Sequence, residues 1–494
     1  MRPNRRQFIG SAVGSGLSLA FLSKLDPVSA AQAKLDPSVV KLDDSIEPTV
    51  RLLEETPREK VLEEVATRIK GGMPYRQVLS ALFLAGVRNV QPRPQVGFKF
   101  HAVLVINSAH LASINSPDSD RWLPIFWAID RFKSAQLETQ KTSGWRMSSV
   151  EESRVPKGSK ARDAFIHAMD NWDEDAADLA AAALARTATR NQCFNLFAHY
   201  GARDFRDIGH KAIYVANSFR TLDAIGWHHA EPVLRSLAYA LLQHDGENPA
   251  QKPADADLHW QTNLEQSKRI DADWLNGKSE SDASKQLLDV FRTDNEKSAP
   301  ARVVDALNDG ASPDAIWDSI LSSAGELLMR KTSIVTLHAV TSANALHYAF
   351  KTVSDPQTRQ MLLLQNASFV TLFRKAAGEN SLSKQHIDTI EKPADTPSLN
   401  EIFDAPDKPS AARGTLAYLD AGRDPQALMH AARRLVFIKG NDAHDYKFSS
   451  AVLEDFYALS PAWRNRYLAA SMYYLPMNST KDNTLVTRIR SAFA

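Results

Sequence analysis

The sequence predicts an all-α protein built from tandem helical-hairpin repeats, arranged as a helical array or as a closed helical bundle. Apolar residues recur at steps of three and four, as at Val78, Leu79, Leu82 and Phe83, which is typical of one face of a helix. The alternating pattern of strands is weak throughout the 494 residues. A unit of similar helices also recurs along the chain, which is typical of repeat architectures.

The recurring unit contains a helix that begins near a histidine, followed by a helix that begins near a proline. In the third copy, Ser312-Pro313 and Asp355-Pro356 each open a helix, because the N–H that proline lacks would have no partner at the first helical position. The first and third copies match best, because His101-Ala102-Val103 and His338-Ala339-Val340 are each followed by asparagine and histidine at identical spacing. The predicted repeats span 72–135, 174–243, 311–376 and 423–476, with polar linkers over 244–260 and 377–412.

Residues 1–30 resemble a twin-arginine signal peptide. Arg5 and Arg6 precede a short apolar run, and Val28-Ser29-Ala30 provides a small-residue cleavage site. The run is shorter than the roughly 20 apolar residues that span a bilayer. We therefore expect export by the twin-arginine translocase to the periplasm or the exterior, without a membrane span. A loosely packed polar tail over 31–56 is expected before the helical domain over 57–494.

Charge and cysteine content exclude several classes of function. Lys and Arg number 59 against 58 Asp and Glu, and no long basic run occurs, so nucleic acid is not an expected partner. The single cysteine, Cys193, excludes intramolecular disulfides, cysteine-ligated iron–sulfur clusters and cysteine-type zinc sites. A bound metal would therefore need His, Asp or Glu ligands. The standard signatures of zinc proteases, serine hydrolases, phosphate loops and dinucleotide-binding folds are missing.

Four histidines occupy the same phase in their repeats and are the predicted catalytic residues. If one imidazole from each repeat points into a shared cleft, the group can bind Fe, Mn, Cu or Zn or transfer protons near neutral pH. The alternative is that each histidine merely caps or packs its own helix. Within this group His210 and His338 are the predicted metal ligands. The four residues are His101, His210, His338 and His444.

Two further histidines and four polar residues accompany this group. His110 and His347 follow His101 and His338 by nine residues. Nine residues are about two and a half helical turns, so each lies on the opposite side of the helix from its partner. Arg203 is a candidate anchor for an anionic substrate, or else part of a salt-bridged turn. Three asparagines recur inside apolar helical segments, where a buried amide needs a hydrogen-bond partner. We expect that partner to be a histidine or the substrate. These predicted substrate-binding amides are Asn107, Asn217 and Asn344.

Two segments, from Gly209 to Leu241 and from Val335 to Phe350, are similar to the histidine-bearing helices of questin oxidase-like proteins. The resemblance implies an all-helical repeat fold, oxidative ring-opening of an aromatic or polyketide-like substrate, and dependence on NADPH. Because free NADPH is scarce outside the cytoplasm, the export signal instead favours a tightly bound metal that is loaded before export.

Two functions follow from these observations. One is an exported oxidoreductase-like enzyme that acts on a small organic, aromatic substrate in a histidine-lined cleft. The other is an exported helical-repeat protein without catalysis, which uses a concave face as a binding surface or scaffold. Convergent, buried histidines would favour the enzyme, whereas a neutral groove with outward-facing histidines would favour the binding protein.

Overall fold

The structure, a computed structural model, describes residues 38–278 and 281–494 and confirms the predicted all-α fold. Helix accounts for 70% of the structure. Over the described ranges no strand forms, and extended pairing is limited to two isolated bridges, Val39 with Ser148 and Lys278 with Ala311. The predicted signal peptide, with Arg5 and Arg6, lies outside the described residues.

The α-helices are numbered here in chain order, and short 3₁₀ turns connect several of them. They are α1 Glu47–Glu55, α2 Arg58–Lys70, α3 Tyr75–Asn89, α4 His101–Leu104, α5 Ile106–Ile114, α6 Leu123–Thr142, α7 Ala161–Asp170, α8 Glu174–Thr187, α9 Arg190–Gly201, α10 His210–Ile225, α11 Ala230–Leu241, α12 Asp255–Ser267, α13 Ser281–Thr293, α14 Ser298–Asn308, α15 Pro313–Arg330, α16 Ile334–Thr352, α17 Pro356–Ala377, α18 Leu399–Phe403, α19 Lys408–Asp420, α20 Pro425–Lys439, α21 Ala443–Ala458, α22 Arg464–Ser471 and α23 Leu485–Phe493.

Four helices form a closed inner ring. Helix α5 packs against α10, α10 against α16, α16 against α21, and α21 against α5. The helices run in the same direction, because the histidines meet at their N-terminal ends while residues further along also meet. In α10 and α16, for example, His210 contacts His338 and Arg220 contacts Asn344. The N-terminal ends of the inner ring therefore lie together at one end of the molecule.

The remaining helices surround this ring and bury its outer apolar faces. Helices α15 and α17 cover α16, while α3, α9 and α11 pack on α10. Helices α3 and α6 cover α5, and α20 and α22 cover α21. The last helix, α23, packs on α2 and α6, so the C-terminal end of the chain lies against its N-terminal part. Among the described helices, none combines the length and the apolar character needed to cross a bilayer.

Local signals explain where two of the helices that carry the site begin. Ser333 starts α16 through a capping box with Thr336, and Asp442 caps α21 by accepting the backbone N–H of His444. Pro313 and Pro356 are the first residues of α15 and α17, as their sequence positions predicted. Such short-range signals fix helix ends independently of the surrounding fold.

The polar segment that precedes residue 57 packs more tightly than the sequence suggested. Its helix α1 buries Val50 and Leu53 completely or nearly so, and Arg88 of α3 forms ion pairs with Glu47 and Glu54. The prediction of a loose tail over 31–56 is therefore wrong for the part that the structure describes. Glu47 and Glu54, two of the acidic residues in this segment, are the partners of a buried arginine.

The predicted polar linkers are also shorter than expected. Helix α12 begins at Asp255, inside the predicted linker 244–260, and α18 and the start of α19 lie inside 377–412. Asp407 caps α19 by accepting the backbone N–H of Ser410. In these stretches, acidic residues and prolines mark helix starts rather than continuous loop.

Candidate functional site

The four predicted catalytic histidines converge at the N-terminal end of the inner ring. The rings of His101 and His210 have centroids 4.7 Å apart, and those of His210 and His338 are 4.3 Å apart. The ring of His444 lies 4.5 Å from that of His101 and 5.0 Å from that of His338. Four helices that are distant in sequence thus place their imidazoles around one point.

Backbone carbonyls fix the orientation of three of these rings. Nδ1 of His101 lies 2.8 Å from the carbonyl of Phe98, and Nδ1 of His338 lies 2.7 Å from that of Ile334. Nδ1 of His210 lies 2.6 Å from the carbonyl of Asp207. A carbonyl can only accept, so each Nδ1 must carry the proton. In the neutral rings Nε2 is then a bare acceptor.

The bare Nε2 atoms of these three rings face one another at close range. Nε2 of His210 lies 2.9 Å from that of His101 and 2.8 Å from that of His338. Two lone pairs at this distance repel unless a cation lies between them. Ligand nitrogens about 2.0–2.1 Å from a metal are about 2.9 Å apart when the angle at the metal is a right angle. The three-histidine group, His101 with His210 and His338, can therefore hold a transition metal.

Burial keeps these imidazoles neutral, as metal ligation requires. Burial, reinforced by the charge of Lys447, lowers the pKa of His101 to about 2. Burial and the neighbouring imidazole of His338 hold the pKa of His210 well below its usual value. The pKa of His338 is lowered in the same way by burial and by Lys447. Protonation is thus a poor explanation for the close Nε2 contacts.

His444 is held differently from the three-histidine group. Its Nδ1 lies 2.6 Å from Oδ1 of Asp442, a carboxylate rather than a carbonyl. This hydrogen bond holds the pKa of Asp442 well below its usual value, so the carboxylate is ionised. Nε2 of His444 is buried and has no hydrogen-bond partner among the described residues. It also lies outside the set of nitrogens that are within 4.8 Å of one another.

A cavity of about 880 Å³ opens over the histidines, large enough for an organic molecule. Part of its wall is apolar. Phe98 and Ile334 are 76% and 49% exposed, although large apolar side chains are normally buried. Gly97, Ala102 and Ala443 line the cavity with the imidazoles, and their small size leaves room for a ligand. The residues that line the cavity include Gly97, Phe98, Lys99, Ala102, Arg131, Ala135, Phe205, Ile208, Ile334 and Ala443, besides the four histidines.

A left-handed turn delivers His210 to the cluster. Asp207, Ile208 and Gly209 have φ values of 52°, 45° and 79°, and the first two are unfavourable conformations for residues with side chains. Oδ2 of Asp207 accepts the backbone N–H of Val96 at 3.0 Å, which holds the turn to the neighbouring loop. Strained backbone of this kind is often found where a functional side chain must be aimed.

The three predicted substrate-binding asparagines lie deeper in the inner ring and do not line the cavity. Asn217 donates to the carbonyl of Leu104 at 3.0 Å, and Asn107 donates to Asn217 at 3.5 Å. Asn344 donates to the carboxyl group of Asp455 at 2.8 Å. We therefore replace their predicted role in substrate binding by a structural one. They satisfy buried polar groups between the inner helices.

Arg203 does not line the cavity either. It is 8% exposed, donates to the carbonyl of Met169 at 2.7 Å, and stacks on Trp172 with 3.8 Å from its guanidinium carbon to the ring centroid. It is a structural residue, but it forms no ion pair among the described residues, so the predicted alternative of a salt-bridged turn does not describe its contacts. His110 and His347 also lie outside the cluster, one against Tyr75 and the other against Trp317.

Sequence reasoning missed three residues at the site. Asp442 precedes His444 by two residues, and its position as a helix cap was a usable signal. Lys447 is fully buried near the imidazoles, and no described residue accepts a hydrogen bond from its Nζ. Gly97 approaches both rings, since a Cβ there would lie 3.3 Å from His210 and 3.4 Å from His101. Neither of these last two is marked by a local pattern.

A second group of potential ligands has a different explanation. Glu326, His386 and Asp388 also have ligand atoms within 4.8 Å of one another. Arg292, however, donates to Glu326 at 2.9 Å and to Asp388 at 2.7 Å, so these carboxylates already have a cation. This cluster is an ion-pair network that joins α13 to α15.

No protein-family model matches the chain, and no curated protein or solved structure matches it either.

Proposed function

We propose that this protein is a metal-dependent, oxidoreductase-like enzyme that acts on an organic substrate in the cavity above the inner ring. The observation that carries the proposal is the close approach of three bare Nε2 atoms, 2.8 and 2.9 Å apart, in the three-histidine group. The carbonyls that hold their Nδ1 protons act as the outer partners that metal-ligating histidines usually have.

Imidazole ligands suit Fe, Cu, Zn and related metals, and a three-histidine set leaves positions on the metal open. A metal held there would supply Lewis acidity and, for Fe or Cu, redox chemistry. The chain itself contributes neutral ligands, because burial prevents the protonation of His101, His210 and His338. It also contributes the cavity wall, which carries both apolar and charged side chains and shields the metal from part of the solvent.

The cavity wall supports an organic substrate with an apolar body. Phe98 and Ile334 expose apolar surface at the cavity, next to the three-histidine group. Cations and carboxylates both occur on the wall, among them Lys99 and Glu138, so the wall does not select strongly for one sign of charge. The aromatic substrate implied by the resemblance to questin oxidase-like proteins is compatible with such a wall.

The alternative function, binding without catalysis, predicted a neutral groove with outward-facing histidines. The four imidazoles converge, and those of His210, His338 and His444 are buried, which favours chemistry instead.

The test is the metal content of protein purified after native export. We expect near-stoichiometric Fe, Mn, Cu or Zn, and loss of this metal in His210→Ala and His338→Ala variants that still fold. His347→Ala is the matched control, since this histidine is buried in α16 but lies outside the site. Metal-free wild-type protein, or variants that retain the metal, would contradict the proposal.

A further inference from the structure

The geometry points to separate roles within the histidine cluster: His444 accepts a hydrogen bond from a hydroxyl group of the substrate, while the other three imidazoles hold the metal. This inference rests on the proposed metal-dependent function and adds the chemical class of the substrate, an organic molecule with a hydroxyl group at the end that reaches the imidazoles.

His444 is anchored by a carboxylate, unlike the other three histidines. Asp442 accepts both the backbone N–H of His444, at 2.9 Å, and its Nδ1 proton, at 2.6 Å. An ionised carboxylate can only accept, so Nδ1 carries a proton, and in the neutral imidazole Nε2 is then the free acceptor. A carboxylate on the far nitrogen also makes Nε2 a stronger acceptor than a carbonyl does. The other three histidines have carbonyl partners.

Nε2 of His444 lies at the cavity without a donor from the described residues. His444 is 8% exposed and lines the cavity, yet no described residue donates to its Nε2. The nitrogen is not among those that cluster within 4.8 Å. It therefore lies beside the proposed metal rather than completing its ligand set. A buried acceptor at the wall of a cavity is satisfied when a ligand brings the donor.

The charged donors on the cavity wall have other partners. Arg206 donates to Asp257 at 2.8 Å, Arg131 donates to the carbonyl of Asn441, and Lys99 donates to Thr142 at 3.2 Å. The donor must therefore come with the ligand.

A hydroxyl group fits this position better than an ammonium group. The N-terminal ends of α10, α16 and α21 face the cluster, and helix N-termini favour negative rather than positive charge. Lys447, buried nearby, adds a further positive influence on the imidazoles. A hydroxyl group donates to Nε2 while its oxygen carries partial negative charge. The apolar side chains of Phe98, Ile208 and Ile334 are available to the rest of the molecule.

The test compares two small ligands, phenol and methoxybenzene; the second carries a methyl group in place of the hydroxyl proton and so lacks the donor. Each is titrated calorimetrically into the full-length mature protein, and the metal content of every sample is measured separately. Because methoxybenzene leaves Nε2 unsatisfied, we expect wild-type protein to bind phenol about tenfold more tightly or better. In His444→Phe we expect the preference to disappear while the metal content is unchanged.

Two further variants complete the comparison. Asp442→Ser keeps a helix cap but removes the carboxylate, so it should weaken the preference for phenol and keep the metal. His430→Phe changes an exposed histidine of α20 and should alter neither property. If His444→Phe fails to fold, Asp442→Ser alone decides the question.

The outcomes separate this inference from the proposed function. Loss of metal in His444→Phe, to the extent seen in His338→Ala, would make His444 a ligand and overturn the separate roles. A wild-type protein that does not prefer phenol, or a preference that survives both His444→Phe and Asp442→Ser, would also overturn the inference. Wild-type protein that prefers phenol but contains no metal would contradict the proposed function and leave the role of His444 supported.

Discussion

At the scale of single residues, hydrogen-bond partners decide what each buried polar group does. Lys211 and Lys447 are both fully buried, but only Lys211 has partners. Its Nζ donates to Asp204 at 2.9 Å and to the carbonyls of Leu241 and Gln243. Nζ of Lys447 has no acceptor among the described residues, and burial lowers the pKa of this amine to about 7. The two lysines therefore make opposite contributions to stability.

Replacing each lysine by methionine tests this difference. We expect Lys447→Met to raise the free energy of unfolding by about 1–3 kcal/mol, because it removes an unsatisfied buried amine. We expect Lys211→Met to lower it by about 3–5 kcal/mol, since the buried carboxylate of Asp204 loses its closest cation. Urea unfolding measures both changes. Equal losses in the two variants would show that Lys447 has a partner after all.

We expect the stability of the folded protein to depend on pH through the buried carboxyl group of Asp455. Burial raises its pKa from 3.8 to about 7, and it accepts hydrogen bonds from Asn344 and Tyr467. The folded state therefore binds this proton more tightly than the unfolded state does. The stabilisation is complete at acid pH and is lost as the pH rises from about 4 to about 7.

Asp455→Asn removes this titration. Relative to wild type, the variant should gain stability between pH 4.5 and pH 7, by at most about 1.4 kcal/mol per pH unit, and then remain level. The measurement is urea unfolding across this range. A difference for Asp455→Asn that does not change with pH would contradict the raised pKa.

At the scale of helices, the sequence predicted the starting points better than the contacts. Pro313 and Pro356 open helices as expected because capping and proline signals act over a few residues. The common phase of the histidines also predicted their convergence. The asparagines were misplaced because they follow their histidines by six or seven residues, which is about 9–10 Å along a helix. The same helix that brings a histidine to the cavity therefore takes its asparagine away from it.

The left-handed turn before α10 could not be predicted from local pattern, since Asp207 and Ile208 are poor candidates for positive φ. Only the packed structure holds them there. Gly209, at φ 79°, is the residue of this turn that tolerates no side chain. A Cβ would lie 2.6 Å from Cβ of Ser342 in α16.

Gly209→Ala should therefore lower the free energy of unfolding by about 2–4 kcal/mol, through both backbone strain and overlap with α16. Gly422 provides the matched control. Its φ is 70° but a Cβ would meet nothing within 4 Å, so Gly422→Ala should cost only the strain of about 1–2 kcal/mol. Urea unfolding of both variants measures the difference. Equal losses would mean that the approach of Gly209 to Ser342 does not constrain the turn.

At the scale of the whole molecule, the closed inner ring explains how repeats separated along the chain build one site. Helices α10, α16 and α21 each contribute one imidazole at the N-terminal end, the short helix α4 that precedes α5 contributes the fourth, and the outer helices hold the ring together. The sequence left open whether the repeats form an open array or a closed bundle. Whether the bundle closes depends on contacts between the first and last helices, such as α2 with α23. Neither of these helices carries a sequence pattern that predicts the contact.

The proposed export of the folded protein is tested by its signal. Changing Arg5 and Arg6 to lysine should leave precursor in the cytoplasm, whereas the wild type should be found outside the inner membrane with an N-terminus near Ala31. Cell fractionation and N-terminal sequencing measure both. Normal export of the double variant would contradict a twin-arginine route.

The central claim is that three histidines from separate helices hold one metal. The most direct test is an anomalous difference map from a crystal of natively exported protein, recorded at the absorption edge of the metal found in it. We predict one peak, about 2.0–2.1 Å from the Nε2 atoms of His101, His210 and His338. A peak at Glu326, His386 and Asp388 instead, or no peak near the three imidazoles, would contradict the account.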